Sequence, residues 1–97
     1  MRIDLHPKLQ SDVFAIMEYY ERVASPELAD DFYSELRRLM IEVAESPESF
    51  SVREQDLRRA NLHRFPYHFL FRIVDDSVRI LVVRHHRRRP AFGMRRR

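Results

Sequence analysis

The chain has 97 residues, with seventeen arginines, one lysine, one glycine and no cysteine. At this length we expect one domain, residues 1–97, that forms a single core without covalent cross-links. The lone Gly93 excludes glycine-rich nucleotide loops, and the lack of cysteine excludes disulfides, thiolate zinc sites and thiol nucleophiles. A reducing cytoplasm suits such a chain, and we expect neither a signal segment nor a membrane-spanning run.

Charge is divided unevenly along the chain. Residues 1–51 carry 5 Lys and Arg against 11 Asp and Glu, whereas residues 52–97 carry 13 Arg against 4 acids. Codon bias toward arginine accounts for the excess of arginine over lysine but not for where the acids lie. The basic second half therefore predicts contact with a polyanion or an acidic partner.

The first half predicts a short strand and two helices. Arg2 to Leu5 reads as the strand. An apolar stripe of period 3.6 then runs from Leu9 to Ala24, with Asp12 off the stripe. Ser25 and Pro26 are typical of a helix start, and Ser46-Pro47 ends the second helix. Two amphipathic helices joined by so short a corner predict a helical hairpin.

The second half predicts strands. Residues 47–56 are predicted to be a polar connector, followed by strands at 57–62, 67–74 and 78–85, with a turn at Asp75-Asp76-Ser77. We expect residues 95–97 to be frayed. The order β-α-α-β-β-β predicts an α+β fold in which the helical hairpin packs on a small, mostly antiparallel sheet.

Basic residues recur along these strands, and their chemistry suits phosphate or carboxylate. If four of them share the sheet face away from the helices, they form a concave cationic surface: Arg58, Arg64, Arg72 and Arg84. The planar guanidinium pairs with such anions in a bidentate manner, and Phe65, Tyr67 and His85 are candidate stacking surfaces for bases. The alternative is that these arginines pair with acids of the fold.

His85 ends a strand beside the arginine run. Surrounding positive charge favours a neutral imidazole there, which suits a general base for a ribose hydroxyl. The alternative is a hydrogen-bonding residue at the sheet edge. His85 and His86 are adjacent on a strand and point to opposite faces, so they make a poor metal pair, and we expect no metal or other cofactor.

Four segments together resemble the RelE/ParE superfamily of type II toxins, and the resemblance covers nearly the whole chain. They are Arg58-Arg59, the segment from Arg64 through Phe65 and Pro66 to Tyr67, the segment from Phe71 to Asp76, and the strand from Ile80 that ends in His85-His86-Arg87-Arg88-Arg89-Pro90. The resemblance implies a toxin neutralised by a small cognate antitoxin in a toxin–antitoxin hetero-oligomer. Because the apolar runs are short, we expect no membrane partner. RelE-like members cleave mRNA on the ribosome, whereas the ParE-like or plasmid-stabilisation branch poisons DNA gyrase.

The chain departs from the RelE-like pattern, since it has no lysine after Lys8 and no tyrosine after Tyr67. The first hypothesis is therefore a ParE-like, non-catalytic toxin. The second is an mRNA interferase with His85 as the base, and the third is a non-toxic basic module that binds RNA or protein. The residues that we expect to bind target or phosphate are Arg58, Arg59, Arg64, Arg72, Arg84, Arg87 and Arg88, supported by Phe65, Pro66 and Tyr67.

Overall fold

A computed structural model describes all 97 residues. Its elements in chain order are β1 (Arg2–Leu5), α1 (Leu9–Val23), α2 (Pro26–Glu45), a 3₁₀ turn (Pro47–Ser49), β2 (Val52–Glu54), β3 (Leu57–Asn61), β4 (Tyr67–Val74) and β5 (Ser77–His85). They form one five-stranded sheet in the order β1-β5-β4-β3-β2, in which only β1 and β5 run parallel. The two helices cover one face, which confirms the α+β prediction.

The connector predicted at 47–56 is wrong in part, because it contains the fourth antiparallel strand, β2. Val52 lies opposite Arg58, and Glu54 lies opposite Leu57. A tight turn joins the two strands, and Gln55 in it has a φ of 52°. The strand has three residues, all of them exposed, so the sequence shows no alternation of buried apolar residues that would predict a strand here.

The helices form where capping and periodicity place them. The Ser25 hydroxyl accepts a hydrogen bond from the Leu28 N–H at 3.1 Å, and Pro26 occupies the first turn. Phe32 and Val43, from the predicted stripe of α2, are fully buried. Neither helix is long and apolar enough to cross a membrane.

The sheet is buried on both faces, by different parts of the chain. The helices pack on a cluster of 17 buried residues that includes Phe69 and Phe71. The opposite face, which we call the distal face, carries a smaller cluster: Leu57, Leu70, Leu81 and Val82. Phe92 and Met94 of the C-terminal segment pack on this cluster.

Gly93 lets the C-terminal segment lie this close to the sheet. Its φ is +80°, and a Cβ there would stand 2.6 Å from the Cβ of Val82. A side chain at this position is therefore excluded both by the backbone conformation and by the contact.

The end of the chain closes the edge of β5 beyond the point where β1 stops. The Asp12 carboxylate accepts a hydrogen bond from the Val83 N–H at 3.1 Å, while the Arg96 guanidinium donates to the Leu81 carbonyl at 3.0 Å. The two side chains also pair with each other at 2.6 Å. They satisfy the backbone groups that a longer β1 would otherwise pair. The expectation that residues 95–97 are frayed is therefore wrong at Arg96.

Candidate functional site

The four arginines predicted to build one concave surface do not share a face. Arg58 lies opposite Phe71, which packs against the helices, and its Nη1 donates to the Phe50 carbonyl at 2.8 Å. Arg64 is exposed and pairs with Asp31 of α2 at 3.3 Å. The prediction is wrong for Arg58 because strand alternation places it on the sheet face that the helices cover. It is wrong for Arg64 because the loop before β4 brings this residue next to α2.

Arg72 and Arg84 do belong to the distal face, but at different ends of it. Arg72 lies opposite Arg79 in the sheet, and its Nη2 donates to Asp56 at 3.3 Å. Arg84 is 7% exposed, and its Nη1 donates to the backbone carbonyls of Pro90 and Phe92. Both arginines therefore hold the fold together, as the ion-pairing alternative allowed, and neither presents a free guanidinium.

A chain of hydrogen bonds crosses the distal face at the Arg84 end. The Arg84 Nε donates to His68 Nε2 at 2.9 Å, and His68 Nδ1 lies 2.9 Å from His86 Nδ1. Arg59, from β3, places its Nη2 3.2 Å from the same His86 nitrogen. The two imidazole planes lie within 9° of each other, so the rings meet edge to edge in one plane. We call His68 and His86 the histidine pair.

The arginines determine the protonation of the histidine pair. A guanidinium only donates, so His68 Nε2 must accept, and a neutral His68 then carries its proton on Nδ1. That proton is donated to His86 Nδ1, which leaves the His86 proton on Nε2, facing outward. Burial, with help from Arg59 and Arg84, lowers the pKa of His68 from 6.5 to about 3. Burial and Arg59 lower the pKa of His86 as well.

His85 lies on the other face of the sheet. It is opposite Tyr67 in the pairing of β4 with β5, and the two rings meet edge to face at 5.1 Å. Its Nδ1 accepts a hydrogen bond from the Arg87 N–H at 3.0 Å, so it shapes the turn after β5. The candidate base therefore lies on the opposite face from Arg59 but at the strand end, in a cavity of about 270 Å³ that Arg84 and Arg88 also line.

The aromatic residues predicted to support the site belong to the core between sheet and helices. Phe65 is 5% exposed and meets Tyr20 and Phe32 edge to face. Tyr67 is half-buried in the same cluster, and the Pro66 carbonyl accepts the His86 N–H at 2.9 Å. Phe65 is thus unavailable for stacking on a base, and these residues support the fold.

The arginine run after β5 is exposed. Arg88 lies 4.1 Å over the ring of Phe92, and the side chains of Arg87 and Arg89 have neither an ion pair nor a hydrogen bond. No group of three or more His, Cys, Asp or Glu residues could hold a metal ion. Sequence reasoning missed His68, although strand alternation places it on the same face as Leu70.

A second candidate surface is an apolar groove between the two helices and β1, with a volume of about 550 Å³. Three of its residues are large, apolar or aromatic, and well exposed: Leu5 at 48%, Phe14 at 60% and Tyr33 at 43%. An isolated monomer rarely leaves such residues side by side in water. The groove therefore has the character of a docking surface for an apolar segment of a partner.

Comparisons with known proteins agree on one family. The family model described as the ParE toxin of the type II toxin-antitoxin system parDE matches residues 3–90. "Toxin ParE2" of Mycobacterium tuberculosis is 27% identical over 90 residues, which are 92% of this chain and 85% of that protein.

Solved structures share the fold. The chromosomal ParDE system of P. aeruginosa superposes with a TM-score of 0.78 at 20% identity, over 88% of this chain and 95% of that one. The isolated E. coli RelE toxin superposes with a TM-score of 0.57 at 17% identity, over 96% and 92%. Since the family model covers nearly the whole chain, this protein belongs to the ParE toxin family of type II toxin–antitoxin systems.

Proposed function

We propose that the chain is a toxin that inhibits DNA gyrase in the cytoplasm by protein–protein contact, without bond-breaking chemistry of its own. The family match supports this proposal. The observation that carries it is that the polar groups beside His85 are already engaged: its Nδ1 accepts the Arg87 N–H, and Arg84, which lines the same cavity, is bonded to His68 and to backbone carbonyls. A nuclease of the RelE type needs its base and its phosphate-binding groups around one reacting phosphate.

His86 does not replace His85 as the base. It lies beside Arg59, but its Nδ1 faces two donors, from Arg59 and from His68. Its outward Nε2 carries the proton. A general base needs a free lone pair aimed at the hydroxyl that it deprotonates. His86 can therefore donate a hydrogen bond to an anion but cannot take a proton without breaking both contacts.

We propose further that a cognate antitoxin neutralises the toxin by covering the apolar groove. Phe14 projects from α1 and Tyr33 from α2, so they border the groove from both sides. An amphipathic helix presents anchors three or four residues apart, which is the pattern that such a groove accepts. The acidic exteriors of α1 and α2 suit basic residues on the polar face of that helix.

Induction of the toxin in cells tests the mode of action. We expect an SOS response with DNA breaks, and we expect His85→Ala and His86→Ala to preserve this response, because neither side chain acts in a chemical step. The matched control is His63→Ala, an exposed histidine in the loop before β4. Prompt cleavage of translated transcripts, lost in His85→Ala or His86→Ala while the fold is retained, would establish the interferase instead.

A further inference from the structure

The thirteen arginines of residues 52–97 divide into two groups by what their side chains contact. Seven have hydrogen-bond or ion-pair partners within the fold: Arg58, Arg59, Arg64, Arg72, Arg79, Arg84 and Arg96. The other six have none and are all exposed: Arg53, Arg87, Arg88, Arg89, Arg95 and Arg97. The first group stabilises the fold through these contacts. The second group makes no such contacts, so its function must be sought outside the fold.

Most of the free arginines lie in a stretch of sequence without acids, and none of them is ion-paired, although Glu54 directly follows Arg53. Residues 84–97 contain seven arginines and no Asp or Glu, and the ion pair with Asp12 engages only Arg96. Three consecutive free guanidinium groups repel one another, which weakens the folded state. Binding of an anion of high charge density would remove this repulsion.

Three of the free arginines follow directly on the end of β5 that carries the histidine pair. The turn after β5 carries Arg87, Arg88 and Arg89, and it begins at His86, which contacts Arg59 at 3.2 Å. The Arg59 N–H donates to the Ser51 carbonyl at 3.2 Å, just before Arg53 of β2, and the pKa of the Arg59 guanidinium is lowered by burial and, to a smaller extent, by the charge of Arg53. We call these five the arginine rim: Arg53, Arg59, Arg87, Arg88 and Arg89.

We propose that the arginine rim binds the phosphate backbone of duplex DNA. The rim offers charge and hydrogen-bond donors, including the outward Nε2–H of His86, but no large apolar anchor of the kind that centres a protein interface. Guanidinium forks suit phosphate, and duplex DNA carries one phosphate charge per roughly 1.7 Å of its axis.

A duplex is favoured over a single strand because the rim has only one exposed aromatic ring beside it, Tyr19 of α1, near Arg88. Proteins that bind single-stranded nucleic acid stack bases on exposed aromatic rings. Phe65 is buried, Phe92 is covered by Arg88, and Phe14 and Tyr33 border the groove between the helices and β1, which leaves Tyr19, at 46% exposed, as a single ring at one end of the rim. The rim can therefore hold backbone phosphates along its length but stack one base at most, and the proposal does not depend on gyrase as the target.

The experiment measures binding of the full-length toxin to a labelled 20-base-pair duplex by fluorescence anisotropy, between 50 and 200 mM salt. Five rim contacts predict a slope of log affinity against log salt of roughly −4.5, or roughly 500-fold weakening over that range. The triple variant Arg87→Gln, Arg88→Gln, Arg89→Gln should lower the magnitude of this slope by roughly 2.7. Arg53→Gln, on another element, should lower it by roughly 0.9.

The control has the same loss of charge on the helical hairpin, as Arg22→Gln, Arg37→Gln, Arg38→Gln, and should leave the slope unchanged. Thermal melting of each variant verifies its fold. Equal weakening by the two triple variants would overturn the proposal, because net charge and not the rim would then be responsible. Tighter binding to a single-stranded RNA of the same length would also overturn it, as would failure of the toxin to bind the duplex at 50 mM salt.

Discussion

The ion pair between Asp12 and Arg96 makes a quantitative prediction about the C-terminal segment. Asp12 is 5% and Arg96 13% exposed in their side chains, and each also bonds the backbone of β5. Asp12→Ala removes the partner of a mostly buried guanidinium and leaves the Val83 N–H without an acceptor. Breaking a buried pair from one side costs about 3–5 kcal/mol. Because Arg96 lies near the chain end and can swing into water, we expect the lower figure, about 3 kcal/mol.

A loss of this size is easily measured. In a domain of this length 1 kcal/mol corresponds to a shift in Tm of about 4–8 °C, so Asp12→Ala should melt about 12–24 °C lower. The assay is chemical denaturation of Asp12→Ala, Arg96→Ala and the double variant, combined as a double-mutant cycle. We expect a coupling energy of about 1–3 kcal/mol between the two side chains.

The matched control is Asp76→Ala, which removes an exposed ion pair with Arg2 whose side chains are both 78% exposed. Its effect should stay below about 1 kcal/mol. If Asp12→Ala were as mild as this control, or if the two single effects were additive, the closure of the β5 edge by this pair would be refuted.

Two further predictions concern the histidine pair and the apolar groove. The pKa of His68 is about 3 in the folded protein and 6.5 when unfolded, so only the unfolded state takes up a proton between these values. The contribution of a neutral His68 to the free energy of unfolding is therefore fully present above pH 6.5 and decreases as the pH is lowered, by about 2 kcal/mol at pH 5. Denaturant titrations should find a smaller decrease in His68→Gln. Phe14→Glu should leave toxicity intact but weaken antitoxin binding at least tenfold in calorimetry. The control Glu18→Gln, on the exposed side of α1, should leave antitoxin binding unchanged. Loss of toxicity in Phe14→Glu would contradict a groove that binds only the antitoxin.

Most of the fold is predictable from the sequence because the spacing of apolar residues changes once, from the period of a helix in the first half to the alternation of strands in the second. The stripe of α2 and the cap at Ser25 predict the second helix to within a residue, and the alternation from Tyr67 predicts β4 over its full length. These elements are set by local pattern. The polar strand β2 carries no such pattern, and only its pairing with β3 creates it.

The candidate site is less predictable because it depends on which face each arginine takes. Arg58 and Arg59 are neighbours in sequence, yet one bonds the carbonyl of Phe50 while the other contacts His86. Asp12 lies outside the apolar stripe, so its sequence position predicts a solvated side chain. In the fold it is buried against Arg96, which lies 84 residues further along the chain. The acid content near an arginine in sequence does not reveal such long-range partners.

We propose that the toxin inhibits gyrase without catalysis. The most direct measurement adds purified toxin to gyrase, relaxed plasmid and ATP and follows supercoiling, with a parallel reaction that contains ribosomes and translated mRNA. We expect the wild type and His85→Ala alike to abolish supercoiling, with intact mRNA in the parallel reaction. Normal supercoiling together with mRNA cleavage that His85→Ala or His86→Ala abolishes would contradict it.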